Sequence, residues 1–108
     1  MDVKLYEDDG VTVFQVNGEI NISSSPDLRK HFEKLSSKKI VLDLEKVTYV
    51  DSSGLATLVE MLKKTKSKGG ILGLAGMTDK VKSLFEITKL DKLFAIYPSR
   101  SQAVSQVK

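Results

Sequence analysis

Apolar and polar positions divide the chain into short runs of two alternating periods. Residues 2–5 alternate, with Val3 and Leu5 on one side, and Asp8-Asp9-Gly10 is a turn signal. Residues 11–16 are rich in β-branched and aromatic side chains, so the two runs read as a β-hairpin. Gly18 is expected to end the second strand. A polar loop covers residues 21–25, and Ser25-Pro26 reads as a helix start, a cap followed by proline in the first turn. Leu28, Phe32 and Leu35 then recur at helical spacing and predict the buried stripe. Ser36-Ser37-Lys38 ends that helix.

Ile40-Val41-Leu42-Asp43-Leu44 is a nearly continuous apolar run, the mark of an interior parallel strand covered on both faces. Residues 45–49 read as a short connection. A second helix is expected from Ser52 or Ser53, with Leu55, Leu58, Val59 and Leu62 on one face, stopped by Gly69-Gly70. Residues 71–75 predict another strand. Thr78 then caps a helix that turns Val81, Leu84 and Phe85 inward. Residues 93–97 predict the last strand, and Pro98-Ser99 opens a final helix carrying Ala103, Val104 and Val107. No repeat, low-complexity segment or long linker interrupts the order ββαβαβαβα. This order predicts one α/β domain over residues 1–108, with a mixed, largely parallel sheet, an N-terminal hairpin and about four helices.

Composition removes several classes of chemistry. The 108 residues include no cysteine, which rules out disulfides, thiolate catalysis and cysteine-based zinc sites. His31 is the only histidine, so no histidine-rich metal site can form. No apolar stretch approaches the roughly 20 residues that span a bilayer. The start, Met1-Asp2-Val3-Lys4, lacks the order of a signal peptide, and a cytoplasmic location is expected. A net charge of +3 is too mild to indicate nucleic acid. The densest basic cluster, Lys63, Lys64, Lys66 and Lys68, falls at a predicted helix end, where cations suit the macrodipole.

The chemistry concentrates in Val50-Asp51-Ser52-Ser53-Gly54-Leu55, between a strand-like and a helix-like run. A cap needs only one polar side chain, and here three precede the first apolar residue. The surplus hydroxyl would sit at a helix N-terminus, which favours an added phosphate of roughly −1.5 to −2 charges. Asp51, and more distantly Glu19, would oppose that charge. A serine nucleophile would need a base, and His31 is the only histidine available. No G-x-S-x-G elbow is present. Gly69, Gly70, Gly73 and Gly76 match neither dinucleotide nor Walker spacing, and Asp8-Asp9 lacks the oxygen ligands calcium requires. No cofactor is expected.

Taken together, Gly18-Glu19-Ile20-Asn21, the Ile40–Leu44 run, Asp51-Ser52-Ser53-Gly54-Leu55, Lys68-Gly69-Gly70 and the segment from Val81 to Leu90 resemble the STAS domains of bacterial anti-sigma factor antagonists. The resemblance covers nearly the whole chain, and the D-S-S-G-L element is its most specific part. It implies that Ser52 is phosphorylated by an anti-sigma factor that is also a serine kinase. The unphosphorylated protein would bind that partner and free the sigma factor. A PP2C-like phosphatase would reset the system. Asp51, Ser53 and Gly54 would shape the site, with Leu55 anchoring the helix behind it. Asn21 and Ser23, in the loop after Gly18-Glu19-Ile20, would contact the partner.

Two positions depart from the family pattern. Asn21 stands where an aspartate is frequent, which removes a negative charge. Ala56 stands where glycine is common, which firms the helix. The chain would thus be a kinase substrate and not an enzyme. The alternatives are a STAS scaffold or transporter accessory subunit without phosphate turnover, and a small α/β enzyme or nucleotide-binding protein.

Overall fold

A computed structural model describes residues 1–108. Its strands are β1 (Asp2–Asp8), β2 (Val11–Ile20), β3 (Lys39–Val50), β4 (Ile71–Ala75) and β5 (Ala95–Tyr97). They lie side by side in that order in one sheet. β1 pairs antiparallel with β2, and every other pair is parallel. Asp9 (φ 53°) and Gly10 (φ 80°) both take positive φ at the hairpin tip, which matches the right-handed twist of the paired strands.

The helices are α1 (Ser25–Glu33), α2 (Ser52–Ser67), α3 (Asp79–Ile87) and α4 (Arg100–Val107), with a 3-10 turn at Leu90–Lys92. Residue alternation along the strands sends successive side chains to opposite faces, and each face finds its own cover. Phe14, Val16, Ile40, Leu42, Leu44, Leu72 and Leu74 meet Leu28 and Phe32 of α1, Leu55, Leu58, Met61 and Leu62 of α2, and Val81 and Phe85 of α3. Phe85 also meets Phe94 edge-on, with ring centroids 5.6 Å apart. On the other face Val11, Val13, Val41 and Ala75 pack under Ala103, Val104 and Val107 of α4. The run at Ile40–Leu44 is buried on both sides, as its lack of polar alternation predicts.

Several boundaries differ from the sequence expectation. Gly18 does not end β2, and residues 45–49 are not a connection. Both strands run on, pairing Asn17 with Lys46, Gly18 with Val47, Glu19 with Tyr49 and Ile20 with Val50. Register shifts between Gln15 and Asn17 and between Gly18 and Glu19 allow this, with Gly18 at φ +107°. Buried Ile20, Val47 and Val50 hold the extension down. In α1, Ser25 is the first helical residue and Ser24 precedes it without a side-chain cap, so proline falls one turn position later than expected. Leu35 lies past the helix and is only half-buried. The last strand shrinks to three residues because Leu90–Lys92 form the 3-10 turn. No helix is long and apolar enough to cross a membrane.

Candidate functional site

The extension of β2 and β3 delivers Ile20 and Val50 to the same end of the sheet, where the next residues of both chains turn outward. Asp51 is the N-cap of α2, and its extended backbone turns the chain from strand to helix. Its Oδ1 accepts the Gly54 N–H at 2.8 Å. Its Oδ2 accepts the Ile22 N–H at 3.0 Å, in the loop that follows β2. The Asp51 N–H donates to the Ile20 carbonyl at 3.1 Å, and the Asp51 carbonyl accepts the Leu55 N–H at 2.9 Å. One carboxylate therefore caps a helix and pins a neighbouring loop, using both oxygens on backbone donors.

Gly54 fits this arrangement through closeness of approach. A Cβ there would fall 2.3 Å from the Ile20 carbonyl oxygen and 2.9 Å from Val50 Cγ1. Only a residue without a side chain lets α2 start so near the end of β2. Leu55 is buried in the larger core cluster and anchors the helix behind the turn.

Ser52 is the first residue of α2 and is exposed. It borders a cleft of about 490 Å³ between the start of α2 and α3. Tyr49, Leu55, Leu84 and Ile87 give that cleft its apolar lining, and Lys80 stands at its edge. Tyr49 is 45% exposed and Ile87 79%, unusual exposure for such large apolar surfaces. Ser53 is half-buried and faces elsewhere, onto a niche shared with Ile22, Ser25, Arg29 and Thr57. Consecutive helical residues point about 100° apart, so the two hydroxyls open onto different surfaces. His31 borders neither the cleft nor the niche, and its Nδ1 lies 2.9 Å from the Asp27 carbonyl of its own helix.

Asn21 organises the adjoining loop. Its Oδ1 accepts the Ser23 and Ser24 N–H groups, each at 3.0 Å. Its N–H donates to Ser24 Oγ at 2.9 Å, and Ser24 Oγ donates to the Glu19 carbonyl at 2.8 Å. The oxygen role would suit an aspartate equally well, but the Asn21 Nδ2 also donates to Glu19 Oε1 at 3.4 Å. An aspartate would set two carboxylates together there. Asn21 and Ser23 line a polar depression with Glu19, Asp27 and Thr48, distinct from the cleft beside Ser52. The loop is thus bonded to the Ser52 turn through Asp51, while its own polar groups face another surface.

Beside these, Tyr49, Ile87 and Ile22 are the exposed apolar groups nearest the serine turn, and sequence reasoning did not single them out. Ile22 carried a readable sign, as the one apolar residue in an otherwise polar loop. Arg29 ties α1 to α2 beside this end, with Nε 2.9 Å from Glu60 Oε2 and Nη2 donating to Thr57 Oγ1 at 3.2 Å. The Arg29 hydrogen bond, followed by that from Lys64, holds the Glu60 carboxyl below the ordinary glutamate range.

The single mixed sheet, with its capped, hydroxyl-bearing turn at the carboxyl end of β3, defines a small α/β domain of STAS type. Residues 2–103 match the STAS domain model, and the chain belongs to that family. It is 36% identical over 100 residues to the anti-sigma-B factor antagonist of Bacillus subtilis, covering 89% of this chain and 88% of that protein. Its backbone matches the crystal structure of an anti-sigma factor antagonist from Mycobacterium paratuberculosis with a TM-score of 0.89 and 28% identity, over 98% of this chain and 92% of the other. The fold is also that of the Bacillus cell fate determinant SpoIIAA in its phosphorylated form, with a TM-score of 0.76 at 15% identity, over 99% and 100% of the two chains.

Proposed function

We propose that this protein is an anti-sigma factor antagonist switched by phosphorylation of Ser52. In its unmodified form it binds an anti-sigma factor that is also a serine kinase, and so releases the sigma factor. The Ser52 oxygen then bonds to the γ-phosphorus of the partner's ATP, ADP leaves, and the hydroxyl proton passes to a base on the kinase. The modified protein dissociates, and a PP2C-like phosphatase hydrolyses the ester. The protein is the substrate in this cycle and works without a cofactor of its own.

The observation that carries this reading is the division of labour at the turn. Asp51 caps α2 with one oxygen and holds the loop at Ile22 with the other, which leaves the exposed Ser52 hydroxyl outside that structural network. A phosphate there lies at the N-terminus of a 16-residue helix, whose dipole favours it by about 0.3–1 kcal/mol. The partner would rest on the apolar cleft of Tyr49, Leu55, Leu84 and Ile87, which continues directly from Ser52. Asp51 and Gly54 shape the turn. Asn21, Ser23 and Ser53 border the flanking surfaces, which a partner large enough to straddle the turn would contact.

The test is to incubate the pure protein with the anti-sigma kinase encoded beside it and ATP, then locate the phosphate by mass spectrometry. Phosphate on Ser52, lost in Ser52→Ala and not moved to Ser53, is the expected result. Ser52→Ala should bind the kinase without being released by ATP, and Ser52→Asp should not bind. Stable complex formation without any phosphate transfer would replace this reading with that of a non-switching STAS scaffold.

A further inference from the structure

Building on the assignment of Ser52 as the modified hydroxyl, we propose that Lys80 is the intramolecular counter-ion of phosphorylated Ser52, drawn across the apolar cleft when the phosphate is added. Ser52 at the start of α2 and Lys80 in the first turn of α3 border the same cleft. Lys80 is the only cation among the residues that line it, and the only other formal charge there is Asp51. The two Asp51 oxygens are already engaged by the Gly54 and Ile22 N–H groups. Lys80 has no carboxylate within ion-pair distance. Its ammonium instead sits 5.8 Å from the centre of the Tyr49 ring, three residues before Ser52.

That resting place is a weak one. A cation over an exposed tyrosine ring is only weakly held, since water screens it. A phosphoserine brings roughly −1.5 to −2 charges and three acceptor oxygens into the same cleft. Charge-assisted bonds of that kind are about twice as strong as neutral ones. Lysine has a flexible four-carbon stem, so the ammonium can leave the ring without any movement of α3. Its methylenes would then lie over Leu55 and Leu84, as long cationic side chains do on apolar surface. Phosphorylation would act twice on a partner, adding charge at Ser52 and covering the apolar floor beside it.

The experiment uses the full chain with phosphoserine installed at position 52 during translation, so no kinase is involved. The second ionisation of the phosphate is followed by ³¹P NMR in the otherwise unchanged protein, in Lys80→Gln and in Lys82→Gln. Lys82 lies two residues further along α3 and lines a different cleft, with Asp79 and Glu86. It removes the same charge without the contact. The expected result is a midpoint about half a unit higher in Lys80→Gln, with Lys82→Gln unchanged. The Tyr49 ring resonances should also move on phosphorylation, and by less in Lys80→Gln. An identical midpoint with and without Lys80, or equal shifts in both variants, would overturn the proposal. A kinase that left Ser52 unmodified would instead refute the proposed function, and this titration would still read out the pair.

Discussion

At the scale of single residues the serine turn depends on two positions, Gly54 and Asp51, that build it. Gly54 allows α2 to begin against the Ile20 carbonyl, where a Cβ would sit 2.3 Å away. Because the obstacle is backbone and not the tip of a flexible side chain, Gly54→Ala should cost about 3 kcal/mol, the upper part of the usual range for overpacking, read as a lower urea midpoint. Asp51→Ala removes a cap and leaves the Ile22 N–H without its acceptor. A loss of about 1–2 kcal/mol is expected, with Asp51→Asn losing less because its amide oxygen can still accept. Ser52→Ala, at an exposed site outside the capping network, should unfold within about 0.5 kcal/mol of the unchanged protein. This contrast separates a residue that builds the turn from one that is displayed on it. Asn21→Asp should weaken the loop by bringing a second carboxylate to Glu19, most visibly at low salt. Protection of the Ser23 and Ser24 amides in hydrogen exchange would report it.

At the scale of elements, the clasp between α1 and α2 carries a pH signature. Arg29 and Lys64 both engage Glu60, which holds its carboxyl below the ordinary glutamate range in the folded state. A depressed folded-state pKa contributes stability that is present above the ordinary glutamate value. That contribution is lost as pH falls through the folded-state value. Glu60→Gln should therefore be less stable than the unchanged protein at neutral pH and equal to it in acid. The difference should be small and reduced by salt, since the Glu60 side chain is 38% exposed. Chemical denaturation at two pH values checks both the sign and its disappearance.

Most elements were legible from periodicity, because their burial is one-sided or complete. The helical stripes of Leu28 and Phe32, of Leu55, Leu58 and Leu62, and of Ala103, Val104 and Val107 all face the core. The paired extension beyond Gly18 and Leu44 was not legible. Exposed Glu19, Glu45 and Lys46 read locally as turn or connection, while what holds them in strands is the partner strand and a bulge, neither of which is encoded by local pattern. The serine turn was readable as a cap because Asp, Ser and Gly carry that chemistry in their type. The cleft beside it was not, since Leu84 and Ile87 stand some thirty residues from Ser52 and meet it only through the fold.

At the scale of the whole molecule, the sheet separates two tasks. α4 covers one face by itself, while α1, α2 and α3 share the other and converge near the serine turn. A phosphate on Ser52 should leave the core untouched. Far-ultraviolet circular dichroism and hydrodynamic radius should be the same for the modified and unmodified protein, and the melting temperature should shift by no more than a few degrees. A large loss of helix on phosphorylation would contradict a switch read at the surface.

The Asp51 clasp has one further consequence, which concerns where recognition can adapt. Because a single carboxylate binds helix start and loop together, this end of the protein offers a partner an almost fixed relief. Backbone fitting during encounter is then expected on the partner's side. Association should follow a simple second-order course in this chain's concentration, with no slow isomerisation on its side to wait for.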